Sequence, residues 1–187
     1  MLDLIKKCER CELCKNQKPL LDSYKECKII WVGLSAKKVD DIEKDIPLSP
    51  KTNSGALISN VESNYKDIST YKTNIVKCLP LDEKGKLRYP NSKEMNTCFR
   101  NLIGEIEEIK PEIIFLLGEK VTKVVERNLK IKLEKGNNYE YSWTKYKDIY
   151  YIPIHHPSYI CVYKRKNTEL YIEGIKKIIH DIQNEKI

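Results

Sequence analysis

A chain of 187 residues, 41% hydrophobic and 33% charged, has the material for one globular domain with a sizeable core and lacks the composition of a fibrous or membrane-embedded protein. Its formal net charge of +7 suits a polyanionic partner, because lysine and arginine release counterions on meeting phosphates, although solvated lysines on helix faces give the same sum. No stretch approaches the roughly 20 apolar residues that span a bilayer. Charges at Asp3, Lys6, Lys7, Glu9 and Arg10 interrupt the region where a signal peptide needs an apolar run, so a cytoplasmic location and no membrane association are expected.

Residues 1–27 read as a cysteine-bearing arm leading into a single domain that covers 1–187. Lys28 to Gly33 is a short apolar run stopped by glycine, the pattern of a buried strand. A polar, proline-containing segment follows, and Ser54 opens a helix to about Tyr65. Thr73 to Val76 reads as a second strand ending at Cys78, and 79–90 as a loop punctuated by Pro80, Gly85 and Pro90. A helix capped by Asn91 or Ser92 carries Met95, Phe99, Leu102, Ile103, Ile106 and Ile109 at helical spacing until Pro111. Glu112 to Leu117 is a third strand, and Gly118 turns the chain into a helix to about Asn128. Residues 129–148 are polar, with one or two edge strands. Ile149 to Ile154 is a fourth buried strand, followed by His155-His156-Pro157-Ser158. The last helix, Thr168 to Gln183, buries Leu170, Ile172, Ile175, Ile178, Ile179 and Ile182. Strands alternating with helices imply a three-layer α/β/α domain with a mostly parallel sheet, whose sites form at the carboxyl ends of strands. Gly33-Leu34-Ser35, Asn74 to Cys78, Gly118 and His155-His156 all fall at such ends.

Seven cysteines, an odd number without an export signal, argue against a disulfide framework. Cys8 and Cys11 form one Cys-x-x-Cys knuckle, and Cys78 and Cys98 stand far off. Four thiolates with wide, uneven tethers suit an iron–sulfur cluster, and tetrahedral zinc is the alternative. Cys14 repeats the spacing from Cys11 and makes a competing pair. Cys78 and Cys98 are also the kind of small residue that packs a core. Cys27 and Cys161 read as packing residues or free thiols.

Five segments occur in one order: Cys8-x-x-Cys11-x-Leu13, Thr73-Asn74-Ile75-Val76-Lys77-Cys78-x-Pro80, Glu94-x-x-x-Cys98, Pro111-x-Ile113-Ile114-x-Leu116-x-Gly118 and His156-Pro157-Ser158. The series resembles the iron–sulfur uracil-DNA glycosylases, the fourth and fifth families of that superfamily. The resemblance implies a uracil-DNA glycosylase-like fold in which Cys8, Cys11, Cys78 and Cys98 hold a structural 4Fe–4S cluster. It implies that Asn74 reads the base edge, that His156 is the catalytic histidine, and that Gly33, Leu34, Ser35 and Ala36 are the first active-site motif.

That first motif departs from the pattern. Leu34 stands where the fourth family has glutamate, and the glycine–leucine start is closer to the fifth. Leu48 after Pro47 stands where an aromatic residue usually stacks on the base. Asp40 and Asp41 are the nearest downstream carboxylates, and Asp40 is a candidate for orienting water.

The residue types suit the chemistry. The target base must be flipped from the duplex into a pocket. The departing base gathers negative charge that a donor such as His156 stabilises. One amide, Asn74, offers both a donor and an acceptor to a uracil edge. Ser158, Lys164, Arg165 and Lys166 lie where they could grip flanking phosphates. The expected protein is a monomeric, monofunctional base-excision enzyme acting on a flipped base in DNA. Two other readings stay open here: a catalytically silent nucleic-acid-binding protein of the same fold, and a zinc-stabilised interaction protein.

Overall fold

The structure is a computed structural model and describes residues 1–65 and 69–185. Five strands, β1 (Ile29–Ser35), β2 (Thr70–Val76), β3 (Ile113–Leu117), β4 (Thr144–Tyr146) and β5 (Ile149–Ile154), form one sheet in the order β2-β1-β3-β5-β4. The β2, β1, β3 and β5 strands run parallel, and β4 pairs antiparallel with β5. The order reverses after β2, so the chain winds outward from β1 in both directions.

Each inner strand is buried on both faces, which is why it reads as a continuous apolar run rather than an alternating one. On one face pack α1 (Leu2–Lys6), α3 (Ser92–Ile109) and α4 (Glu119–Leu129), meeting Ile30, Val32, Tyr71, Ile75, Ile114 and Leu116. On the other pack α2 (Asn53–Glu62), α5 (Pro157–Tyr163) and α6 (Thr168–Asn184), meeting Ile29, Trp31, Phe115, Tyr150 and Ile152. Each such side chain contributes about 1.5–3 kcal/mol when removed from water.

The arm is built into the first of these cores. Leu2, Ile5, Leu13, Leu20, Leu21 and Cys27 are buried. Leu20 donates its backbone N–H to the Lys77 carbonyl (2.9 Å), and the Asp22 carboxylate accepts from the Lys72 backbone N–H (3.0 Å). The second bond covers one group on the free edge of β2, and the first holds the residue just past its end.

Helix starts follow their caps. Asn91 and Glu94 form a reciprocal capping box at the head of α3, and Arg88 grips Glu94 through two bonds of 2.8 and 2.6 Å. Thr52 caps α2 by accepting from the Gly55 N–H.

Three expectations need correction, and one helix was not foreseen. The second strand begins at Thr70, three residues before the apolar signal, because arm and sheet bonds extend it beyond what its polar start suggests. The helix opening near Ser54 ends at Glu62. The segment after His156, to which no element was assigned, is helical: Pro157 sits at its first turn, where a missing N–H costs nothing. Leu170 is 59% exposed, and Tyr171, fully buried, takes the core position in α6. A proline, two tyrosines and a cysteine in seven residues hid α5, and a one-residue phase error misplaced Leu170.

Candidate active site and thiol cluster

The sheet brings Gly33, Asn74, Gly118 and His156 to one edge. Gly33 and Asn74 are register partners on β1 and β2, and Leu117 pairs with Ile154 two residues before His156. Gly33 has no side chain for a geometric reason: a Cβ there would lie 2.4 Å from the Asn74 Oδ1 and 3.7 Å from the Leu48 Cδ2. The Asn74 amide therefore lies directly across the bare backbone of Gly33, with Leu48 beside it. Asn74 is 4% exposed, and its side-chain amide bonds to no described residue; it is not among the buried polar atoms without a partner, so it keeps contact with solvent at the sheet edge.

Leu48 is held with φ +51, the left-handed region that leucine rarely adopts. What holds it is Gly55. A Cβ on Gly55 would fall 2.0 and 2.3 Å from the carbonyl oxygens of Ser49 and Leu48, so the bare first turn of α2 lets that loop press in. Thr52 adds a bond from its hydroxyl to the Ser49 carbonyl (2.9 Å).

His156 caps α5. Its Nδ1 accepts from the Ser158 backbone N–H (3.1 Å) and lies 2.7 Å from the Ser158 hydroxyl. An imidazole whose Nδ1 accepts an N–H carries its single proton on Nε2 when neutral. Burial holds its pKa below the ordinary histidine value, and the Lys37 ammonium lowers it further. The neutral ring with an Nε2–H donor is thus the favoured state. Gly118, at φ +92, makes room for it: a Cβ there would stand 3.1 Å from the His156 Cβ.

His155 has a different setting. It lies among Tyr139, Tyr141 and Tyr159, with its Nδ1 3.2 Å from the Tyr141 hydroxyl, and its backbone carbonyl accepts from Tyr171. That is a packing role.

The structure separates other members of the expected site. Leu34 does not join Gly33 and Asn74; it packs against the core on the α3 side, following the two-residue alternation of β1. Ser35 is half-buried, Ala36 is buried, and Asp40 is exposed on the loop leaving β1. Ser158, Lys164, Arg165 and Lys166 are exposed around α5 and the short turn after it.

The thiols have a common neighbour. Asn101 donates its amide N–H groups toward the Cys8 Sγ (3.4 Å) and the Cys98 Sγ (3.7 Å), while its oxygen accepts from Arg10. The Lys77 backbone N–H points at the Cys98 Sγ (3.4 Å). Cys78 lies within electrostatic reach of Cys98, Cys11, Cys8 and Cys14, and burial raises its pKa above the ordinary thiol value. Among the described residues, no group of three or more His, Cys, Asp or Glu side chains is arranged to hold a metal ion. Cys27 is buried in the core, and Cys161 donates to the Asn53 carbonyl (3.6 Å), so neither joins the group.

Sequence reasoning missed four residues here. Lys77 and Glu105 form a fully buried ion pair, and Asn101 faces the thiols. A lysine closing an apolar strand and two polar residues on the apolar stripe of α3 were the available signals. Lys37 was missed as well, and only its position near His156 marks it.

The mostly parallel sheet with helices on both faces is an α/β architecture shared with a known structure. The crystal structure of wild-type Pedobacter heparinus SMUG2 superposes with a TM-score of 0.57 at 16% identity, over 85% of this chain and 77% of that one. The chain belongs to the uracil DNA glycosylase superfamily, whose family model matches residues 17–179. It is similar to the type-4 uracil-DNA glycosylase of Saccharolobus solfataricus, 26% identical over 96% of this chain and 80% of that one. It is 27% identical to that of Thermotoga maritima, over 97% and 92%. Among the described residues, no helix is long and apolar enough to cross a membrane.

Proposed function

We propose that this protein is a monofunctional uracil-DNA glycosylase of base-excision repair, hydrolysing the N-glycosidic bond of uracil or another damaged base in DNA. One observation carries the reading. The Asn74 amide is buried, hydrogen-bonded to no described residue, and laid across Gly33 at the same sheet edge as His156. An acceptor beside an N–H on a uracil edge matches that amide. Leu48 supplies an apolar wall for the base.

As the bond breaks, negative charge gathers on the base. The Nε2–H of His156 is the donor that meets it, and the Ser158 N–H on Nδ1 keeps that proton in place. Water attacks the sugar, and Asp40→Asn tests whether the carboxylate nearest the first motif orients it. Ser158, Lys164, Arg165 and Lys166 face the flanking phosphates of a strand whose target nucleotide has been flipped, and the protein acts as a monomer in the cytoplasm.

Cys8, Cys11, Cys78 and Cys98 fit a 4Fe–4S cluster by the chemistry of the donor set: four thiols, with the amide N–H groups of Asn101 and Lys77 turned toward sulfur as they are toward thiolates. A cluster held by these four thiols would cross-link the arm to α3 and the end of β2.

The test is direct. Purified protein is incubated with oligonucleotides bearing uracil or other altered bases, and abasic sites are then cleaved with alkali. Strand scission at uracil only after alkali is expected. Binding without scission at any tested base would favour a silent DNA-binding protein instead.

A further inference from the structure

Lys77 and Glu105 are both 0% exposed. The Lys77 ammonium spends its three donors on the Asn74 carbonyl (2.5 Å), the Thr73 hydroxyl (2.7 Å) and Glu105 Oε2 (2.5 Å). Glu105 also accepts from the Tyr71 hydroxyl (3.0 Å) and from Thr73. The Lys77 backbone reaches two further elements: its N–H points to Cys98 on α3, and its carbonyl accepts from Leu20 of the arm. One residue thus joins the end of β2, α3 and the arm.

A buried ion pair is a poor device for stability, since desolvating two charges offsets most of their attraction. It is a good device for fixing geometry, because every donor has one place to go. The place chosen here is the main chain of Asn74. The Asn74 side chain has no bond of its own among the described residues, so its orientation depends on its backbone and on Gly33.

We propose that Lys77, held by Glu105, is a positioning residue that sets the Asn74 amide for reading the base. The inference rests on the proposed role of Asn74. It works through the Asn74 carbonyl from the opposite face of the sheet and touches no substrate.

The experiment is a double-mutant cycle on single-turnover excision from uracil-bearing DNA. Lys77→Met combined with Glu105→Leu removes both charges at similar volume, which commonly leaves a fold intact. This paired variant is measured with Asn74 present and with Asn74→Ala. A loss of about tenfold to a hundredfold is expected with Asn74 present, the size that follows a misplacement of about 1 Å. With Asn74→Ala the same exchange should change the rate less than about twofold, because the group it positions is gone. Equal losses in both backgrounds would overturn the inference and leave a general supporting role, and so would no loss in either. Wild-type excision by Asn74→Ala alone would overturn the base-reading role and this inference with it. Where the paired variant unfolds or loses its visible absorbance, Glu105→Gln keeps an acceptor oxygen, removes the charge and carries the same comparison.

Discussion

On the α3 side of the sheet the protein buries Lys77, Glu105, Asn101, Cys27, Cys78 and Cys98 within an apolar core. On the α2 and α6 side it buries Trp31, Phe115 and a row of isoleucines; Trp31 Nε1 is buried there without a partner among the described residues, and Asn74 and His156 stand at the rim. Neighbouring residues of β2 are divided between the two: Thr73 reaches Glu105, and Asn74 crosses to Gly33. Polar groups on the first side are satisfied by one another and hold position. At the rim of the second, the Asn74 amide and the His156 Nε2–H bond to no described residue. A strand with a two-residue alternation can serve both ends at once.

The first way to break this comparison is to remove the supports. Protein purified without oxidation should be brown with about four irons per chain. Cys8→Ala, Cys11→Ala, Cys78→Ala or Cys98→Ala should abolish the visible absorbance, while Cys27→Ala and Cys161→Ala leave it. Colourless protein with one zinc would end the cluster assignment, and bleaching by Cys14→Ala but not Cys8→Ala would exchange the ligand pair.

The second acts on the rim. His156→Ala should lower single-turnover excision on the order of a hundredfold or more, with DNA affinity little changed, because one preorganised donor to developing charge is lost. His155→Ala should cost stability instead, read as a lower melting temperature, since its ring packs among tyrosines. Equal catalytic losses would show that the two histidines have been assigned the wrong way round.

Gly33→Ala sharpens the comparison with one methyl group. The new carbon must displace the Asn74 oxygen, so excision should fall roughly tenfold to a hundredfold while the melting curve stays close to wild type. A rate within twofold of wild type would mean that the amide need not lie across that glycine.

Changing Lys164, Arg165 and Lys166 together to alanine should weaken binding to all DNA sequences alike and flatten its salt dependence, each lost phosphate contact removing a slope of about 0.9. An unchanged slope would return this turn to solvent.

The smallest effect is in pH. Burial and Lys37 hold the His156 pKa below the usual histidine value, so the excision rate should stay level as pH falls through about 6.5 and decline only below it. The sign for stability follows. The unfolded chain takes up that proton first, so acidification below about 6.5 favours unfolding. Lys37→Ala should move the acid limb of the rate profile upward, and a midpoint above 6.5 in the wild type would contradict the neutral-ring assignment.

Much of this was legible in the sequence, for physical reasons. Buried parallel strands announce themselves as unbroken apolar runs, and Asn91 with Glu94 marks a helix start, so the sheet and α3 could be read from residues alone. The ordered motifs placed Asn74 and His156 at strand ends. Lys77 and Glu105 could not be paired, since 28 residues separate them and only the packing of α3 on β2 brings them together. The resemblance puts Leu34 in the first active-site motif, and strand alternation turns its side chain to the other face. Leu48 looked like a lost aromatic; its left-handed backbone depends on Gly55, a contact that no local pattern encodes.

The arm that lies along β2 has one more consequence. Asp22 occupies a hydrogen-bonding group of an edge strand, Leu20 holds the residue just past its end, and the same arm carries Cys8 and Cys11. Displacing the arm would uncover β2 and leave its backbone groups open to pairing with a second chain. Activity would then be lost through self-association, with His156 and Asn74 chemically intact.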